Sequence, residues 1–242
     1  MAATNELLVR VLAPRYETLP PDATVEVAGA GATVESLARR HLPPIYDPPG
    51  ARAGPLREVL FEARRAGPQT LAILYRTVWD DEVHPSPRVD GPYRLFRRWY
   101  FGTAVDVEYV LVEIDLATGE VAALDYQTEP SLRYDVETSA HARVREEPPR
   151  PPIELRVVTW NHMVARRTGA ADEGPLVLAR PTLRAATDED RRQLCFARAT
   201  YGYLEGFGPL PLGWDLTAFG VAIAAGIAAG WALGRPRRPA GA

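Results

Sequence analysis

The hydrophobic pattern of this chain changes rhythm at Thr70. Before it, apolar residues come in short groups broken by Pro and Gly; after it, they come in long runs rich in β-branched and aromatic residues. Residues 6–13 and 24–29 read as short strands bounded by Pro and Gly. Val34 to Leu42 reads as a helix. Pro55 to Ala66 also reads as a helix, because Leu56, Val59, Leu60 and Ala63 recur at helical spacing behind a first-turn Pro55. Pro43-Pro44 and Asp47-Pro48-Pro49-Gly50 form the loop between them.

From Thr70 the pattern predicts strands over Thr70–Trp79, Tyr93–Phe101, Val105–Asp115, Glu120–Tyr126 and Ile153–His162. Leu116-Ala117-Thr118-Gly119 joins two of them as a hairpin turn, with Gly119 where positive φ is wanted. The expected fold class is mainly β (α+β): an antiparallel β-sandwich or bent meander over residues 70–163 with a few peripheral helices. Pro148-Pro149-Arg150-Pro151-Pro152 is a stiff connector before the last strand. Thr187-Asp188-Glu189-Asp190 reads as a capped helix start, with Thr187 as N-cap and a helix running to about Tyr203.

A different pattern begins at Leu216. Leu216 to Gly234 is 19 residues without a charge, about 28 Å as a helix and close to the hydrocarbon core of a bilayer. Trp214 and Trp231 lie near its ends, and Arg235, Arg237 and Arg238 follow. The segment is expected to be one C-terminal transmembrane helix, giving a soluble β-rich domain over 1–205, a flexible stem over 206–215, the helix over 216–234 and a basic tail over 235–242. A buried Ala/Gly-rich helix of the soluble fold is the alternative. Gly226, Gly230 and Gly234 are spaced by four, which allows close packing against a second helix and so a homo- or hetero-oligomer. The arginines favour a cytoplasmic tail, whereas the lack of a basic, apolar leader at Met1 favours a cytoplasmic domain, tail-anchored in a single pass; the second is preferred.

Composition narrows the chemistry. Of 242 residues, 46% are hydrophobic and 24% charged, the profile of an ordinary folded chain. A net charge of -3 gives no basic surplus, which excludes nucleic acid as the expected partner. The lone cysteine, Cys195, can form neither an internal disulfide nor a multi-cysteine metal site and reads as a buried helix position. No phosphate loop, dinucleotide fingerprint, His-Glu-x-x-His or Gly-x-Ser-x-Gly stands in the sequence, which argues against nucleotide enzymes and the common hydrolases.

What remains is a scatter of acids and histidines around the strands. Asp80, Asp81, Glu82 and His84 follow the strand ending at Trp79. Asp106 and Glu108 are two apart on one strand, so they share a face, and that face continues into apolar Val110, Val112 and Ile114. Two carboxylates heading an apolar face must be paired or bound to a cation. Asp106, Glu108, His84 and His162 are therefore candidate ligands for a divalent cation, with oxygen-rich donors favouring Mg, Ca or Mn. The competing reading is an Arg98–Glu108 cross-strand ion pair with no metal, Tyr100 facing Asp106 and the acids at 80–82 in a solvated turn.

Asp106-Val107-Glu108-Tyr109-Val110, the hairpin from Val112 to Val121 and the strand Val157 to Met163 resemble part of the β-sandwich of Vps62-like and necrosis-inducing-protein-like domains, over residues 70–165. Those domains carry an Asp-Trp-Glu motif, and here Val107 stands in place of the tryptophan. The resemblance implies a cation site on Asp106 and Glu108, joined by His162. Three functions are open at this point: a membrane-anchored binding or scaffold domain, a divalent-metal-dependent enzyme or metal-gated binding domain, and a structural subunit of a membrane complex.

Overall fold

The computed structural model describes residues 18–49, 54–100, 105–132, 142–169 and 174–193. Its centre is a six-stranded sheet in the order β12-β4-β5-β6-β7-β8, where β4 is Leu56–Gly67, β5 Thr70–Trp79, β6 Asp106–Asp115, β7 Val121–Thr128, β8 Ala142–Glu146 and β12 Thr182–Ala185. From β4 to β8 each strand pairs antiparallel with the next in sequence, so these five form a meander; β12 adds to β4 in parallel. A second sheet has the order β10-β9-β3-β11, built from Ile45–Asp47 (β3), Leu155–Val157 (β9), Val164–Arg166 (β10) and Val177–Leu178 (β11). Thr24–Val27 (β1) and Ala30–Thr33 (β2) make a hairpin. The described chain is thus β-rich.

One apolar core joins the two larger sheets. Ile45, Leu155, Val157 and Val164 of the small sheet cluster with Phe61, Ile73, Tyr75, Val110, Val112 and Leu124 of the large one. Helix α1 (Val34–His41) adds Val34, Leu37 and Ala38 to this cluster. It starts where Thr33 caps it by accepting the Ser36 N–H at 3.2 Å. Tyr75, wholly buried, donates its hydroxyl to the Ala38 carbonyl at 2.7 Å and ties the helix to the sheet.

The segment expected as a helix over Pro55–Ala66 is β4. Val59, Phe61 and Ala63 enter the main core, while Leu60 packs with Val78 and Val107 on the opposite face. Glu62 also points away from the main core and pairs with buried Arg76 at 3.1 Å. With both faces covered, the strand loses the apolar–polar alternation that would reveal it. Its apolar residues then match helical spacing by accident, and pairing with β5 from Leu56 to Gly67 overrides that local signal.

The reverse error occurs at Tyr93–Phe101. Residues Pro87–Tyr100 form helix α2, with Pro92 inside it. Aromatic content suggested a strand, but Asp90 in the first turn and Arg97 and Arg98 in the last suit a helix dipole. Ile153–His162 is also shorter as a strand than expected: only Leu155–Val157 is extended, and a turn follows. Helix α3 (Asp188–Gln193) begins as expected, since Thr187 Oγ1 accepts the Asp190 N–H at 3.2 Å and Asp190 Oδ2 accepts the Thr187 N–H at 2.8 Å. The expected strand over 6–13, the stem, the 216–234 helix, the basic tail and Cys195 lie outside the described residues. Among the described residues no helix is long and apolar enough to cross a membrane.

The hairpin between β6 and β7 turns at Gly119, whose φ is +76°. A Cβ there would sit 3.1 Å from Val27 Cγ1. Gly119→Ala combines a left-handed backbone with that close approach and is expected to cost about 1–2 kcal/mol. Denaturant melts check this, and an unchanged midpoint would mean the turn relaxes into another conformation.

Candidate functional site

The site forms where β5 ends and β6 begins. Antiparallel pairing sets Trp79 opposite Asp106 and Thr77 opposite Glu108. All four side chains point to the face that carries the main core, and all are buried. The polar pair therefore heads an apolar face, as its position on the strand required, and its partners must come from other elements.

The first partner comes from α2. Arg97 Nη2 donates to Asp106 Oδ1 at 3.1 Å and to the Val105 carbonyl at 3.0 Å. Arg97 Nη1 pairs with Glu82. Glu82 is 1% exposed and accepts a 2.6 Å hydrogen bond from the Tyr93 hydroxyl. Arg97 is itself only 8% exposed. One guanidinium thus bridges two buried carboxylates, one before α2 in sequence and one after it.

The second partner comes from the turn after β9. The Val158 N–H donates to the Met163 carbonyl at 2.8 Å, and the His162 N–H to the Thr159 carbonyl at 3.1 Å. Thr159 Oγ1 also accepts the Met163 N–H at 3.0 Å. These bonds close a four-residue tip, Thr159-Trp160-Asn161-His162, with His162 in the left-handed region at φ 57°, uncommon for a residue other than glycine. The whole tip is buried. His162 is 2.9 Å from Asp106 Oδ2 through Nδ1, and its ring stacks on Trp79 with centroids 4.2 Å apart and planes 6° apart. Trp160 meets His84 and Tyr93 edge-on, at 4.8 and 5.6 Å.

Of the four residues singled out in the sequence, Asp106 and His162 are in direct contact and Glu108 lies beside them on the same strand face. His84 joins through the rings of Trp160 and Tyr93, and its Nδ1 accepts the Ser86 N–H at 3.0 Å. The expected Arg98–Glu108 pair does not form, because residue 98 lies on a helix and its side chain is exposed; its neighbour Arg97 reaches Asp106 instead. The acids at 80–82 are not uniformly solvated: Asp80 is exposed and Glu82 is buried. Sequence reasoning missed Arg97, Tyr93 and Trp160 as site residues. A Tyr-x-x-x-Arg spacing, which puts both side chains on one helical face, was the available signal.

Charges in the cluster are set by these contacts. Burial pushes the Asp106 carboxyl up, but the Arg97 guanidinium and the His162 hydrogen bond outweigh it and hold the group below the usual carboxylate range. Glu108 goes the other way. Burial and the Asp106 charge raise its carboxyl well above the usual range, against a smaller opposing pull from Arg97. Asp47, at the end of β3, is raised by burial to about 6, with His162 pulling it down.

Distant likenesses of this fold exist among solved structures. One, titled "Toxin fold for microbial attack and plant defense", matches at 13% identity and a TM-score of 0.40, covering 71% of this chain and 79% of that one. Another, titled "NLPPya in complex with mannosamine", matches at 14% identity and a TM-score of 0.38, over 81% of this chain and 90% of that one. Both are distant likenesses at low identity. No family model and no curated protein matches the chain.

The resemblance implied a cation on Asp106 and Glu108 with His162. Both Asp106 oxygens already hold partners, and the Arg97 guanidinium occupies the space between Asp106 and Glu82. Among the described residues no group of three or more His, Cys, Asp or Glu is arranged to hold an ion. With Arg97 in place, the residues present do not fit a divalent ion on Asp106.

Two outcomes are expected from the carboxylates. Asp106→Asn leaves the shape but removes the charge between Arg97 and His162, and breaking one side of a buried pair costs about 3–5 kcal/mol. A depressed carboxyl stabilises the fold above its unfolded value, near 3.9, and that contribution is lost as pH falls through the folded value. The variant should therefore lose less stability than wild type on acidification, read from thermal midpoints between pH 3 and 7. Asp47 has the opposite sign. Its folded carboxyl is raised to about 6 from 3.8, so its favourable contribution is present at low pH and is lost as pH rises through about 6. Asp47→Asn should gain on wild type from pH 4 to 7, and parallel curves for the two proteins would show that Asp47 is solvated.

Proposed function

We propose that this protein is a membrane-anchored, β-rich binding or scaffold domain. The observation that supports a binding role over turnover is the double engagement of Asp106. Its oxygens are committed to Arg97 and His162, so the acid and the imidazole fix α2 and the hairpin tip against the sheet. A catalytic acid–base pair must exchange protons with a substrate. A pair buried at 4% and 1% exposure and locked into internal bonds serves instead to hold a surface in one shape, which is what recognition demands.

The anchor in this reading is the charge-free segment 216–234, crossing the bilayer once with the domain on the cytoplasmic side. Gly226, Gly230 and Gly234 supply a face on which a second helix can pack. The segment is rich in Ala and Gly and therefore only marginally apolar, so its insertion is sensitive to single charges. One arginine at the centre of such a helix costs about 2.5–3.5 kcal/mol.

Membrane fractionation of the full chain tests this. Wild type is expected to stay in the pellet after alkaline carbonate washing, and Ile223→Arg with Ile227→Arg is expected to move it to the supernatant with the same thermal midpoint for the β-rich domain. A wild-type chain that washes off the membrane would sink the anchored reading.

A further inference from the structure

We propose that the Arg97 guanidinium is the resident cation of the site, standing where the surrounding carboxylates would otherwise call for a divalent metal ion. The carboxylates Glu82 and Asp106 converge from the two chain segments that flank α2, and their side chains are 2% and 6% exposed. Between them lies a single cationic side chain, itself 10% exposed, with Nη1 on Glu82 and Nη2 on Asp106. The same group reaches two further oxygens: Nη2 meets the Val105 carbonyl at 3.0 Å, and Nη1 lies 3.5 Å from the Tyr93 hydroxyl. Two carboxylates, a backbone carbonyl and a hydroxyl form the kind of all-oxygen shell that hard divalent ions take. Here it surrounds a planar fork of N–H donors, which such a shell also suits.

The charge supplied differs between the two occupants. A divalent ion would bring two positive charges to Glu82, Asp106 and Glu108. Arg97 brings one, and His162 bonds the far oxygen of Asp106. A guanidinium differs from an ion in two ways that matter for the protein. It is not removed by chelators and does not deprotonate. It is also covalently part of α2, so filling the site and docking the helix are one event. A metal-filled shell would let the helix and the site come apart.

The exchange is reversible by mutation. Arg97→Ala vacates an oxygen-lined space between Glu82 and Asp106 with Glu108 beside it. That variant should acquire affinity for calcium or magnesium, and for free guanidinium, that the wild type lacks. The experiment uses the full chain in detergent, with thermal midpoints and elemental analysis after dialysis. Wild type is expected to contain no stoichiometric divalent ion and to melt at the same temperature with EDTA or with millimolar calcium or magnesium. Arg97→Ala should melt lower and recover several degrees with calcium, magnesium or guanidinium, and Arg97→Ala with Asp106→Asn should recover nothing. A divalent ion in wild type that disappears in Asp106→Asn would overturn the proposal. So would a folded Arg97→Ala whose midpoint ignores all three additives. Should Arg97→Ala fail to fold, Arg97→Lys keeps the charge without the fork. It should then fold with a lower midpoint and no response to either ion, and a rise with calcium in that variant would equally count against Arg97.

Discussion

A carboxylate buried at the head of β6 is tolerable only when its charge is met on both sides, and that requirement organises the whole end of the large sheet. Asp106 takes a guanidinium from α2 on one oxygen and an imidazole from the tip after β9 on the other. The two elements lie far apart in sequence, and they also meet through their rings, Trp160 of the tip standing edge-on to Tyr93 of α2. From α2, Asp90, Tyr93 and Arg97 make polar bonds to the rest of the site. These bonds tie the helix to the sheet, and the one from Arg97 depends on Asp106 keeping its charge.

The second constraint is the doubly buried sheet. β5 is buried along nearly its whole length, so both faces of the strands beside it must be filled. The main core fills one. The other carries small apolar groups together with the Glu62–Arg76 pair and Asp125, which is fully buried and held by Arg143 at 2.7 Å. Ion pairs in such places are weak sources of stability, since desolvation offsets most of the attraction. They do exclude alternatives: a one-residue slip of β5 against β4 would bury Arg76 without Glu62.

These two constraints explain which parts of the chain could be read from its residues. Where one rule of spacing dominates, sequence and structure agree. Thr70–Trp79 is the strand its composition predicts, Gly119 takes the positive φ its turn requires, and Thr187 caps its helix. Asp106 and Glu108 were legible as an unusual pair because alternation along a strand puts them on an otherwise apolar face. The misreadings fall where burial on both faces erased the alternation, in β4, and where an aromatic-rich segment is a helix, in α2. The second misreading hid Arg97, and with it the group that answers the charge of Asp106.

The sequence alone thus determined that the chain is rich in strands, that its largest run is an antiparallel meander and that two carboxylates at the head of one strand demand positive charge. It could do so because strand periodicity and the cost of burying a charge are local facts. Only the tertiary structure decided what supplies that charge. The answer depends on which side chains separated by 9 and 56 positions are brought within bonding distance, and no periodicity in the chain encodes a contact between elements that never pair.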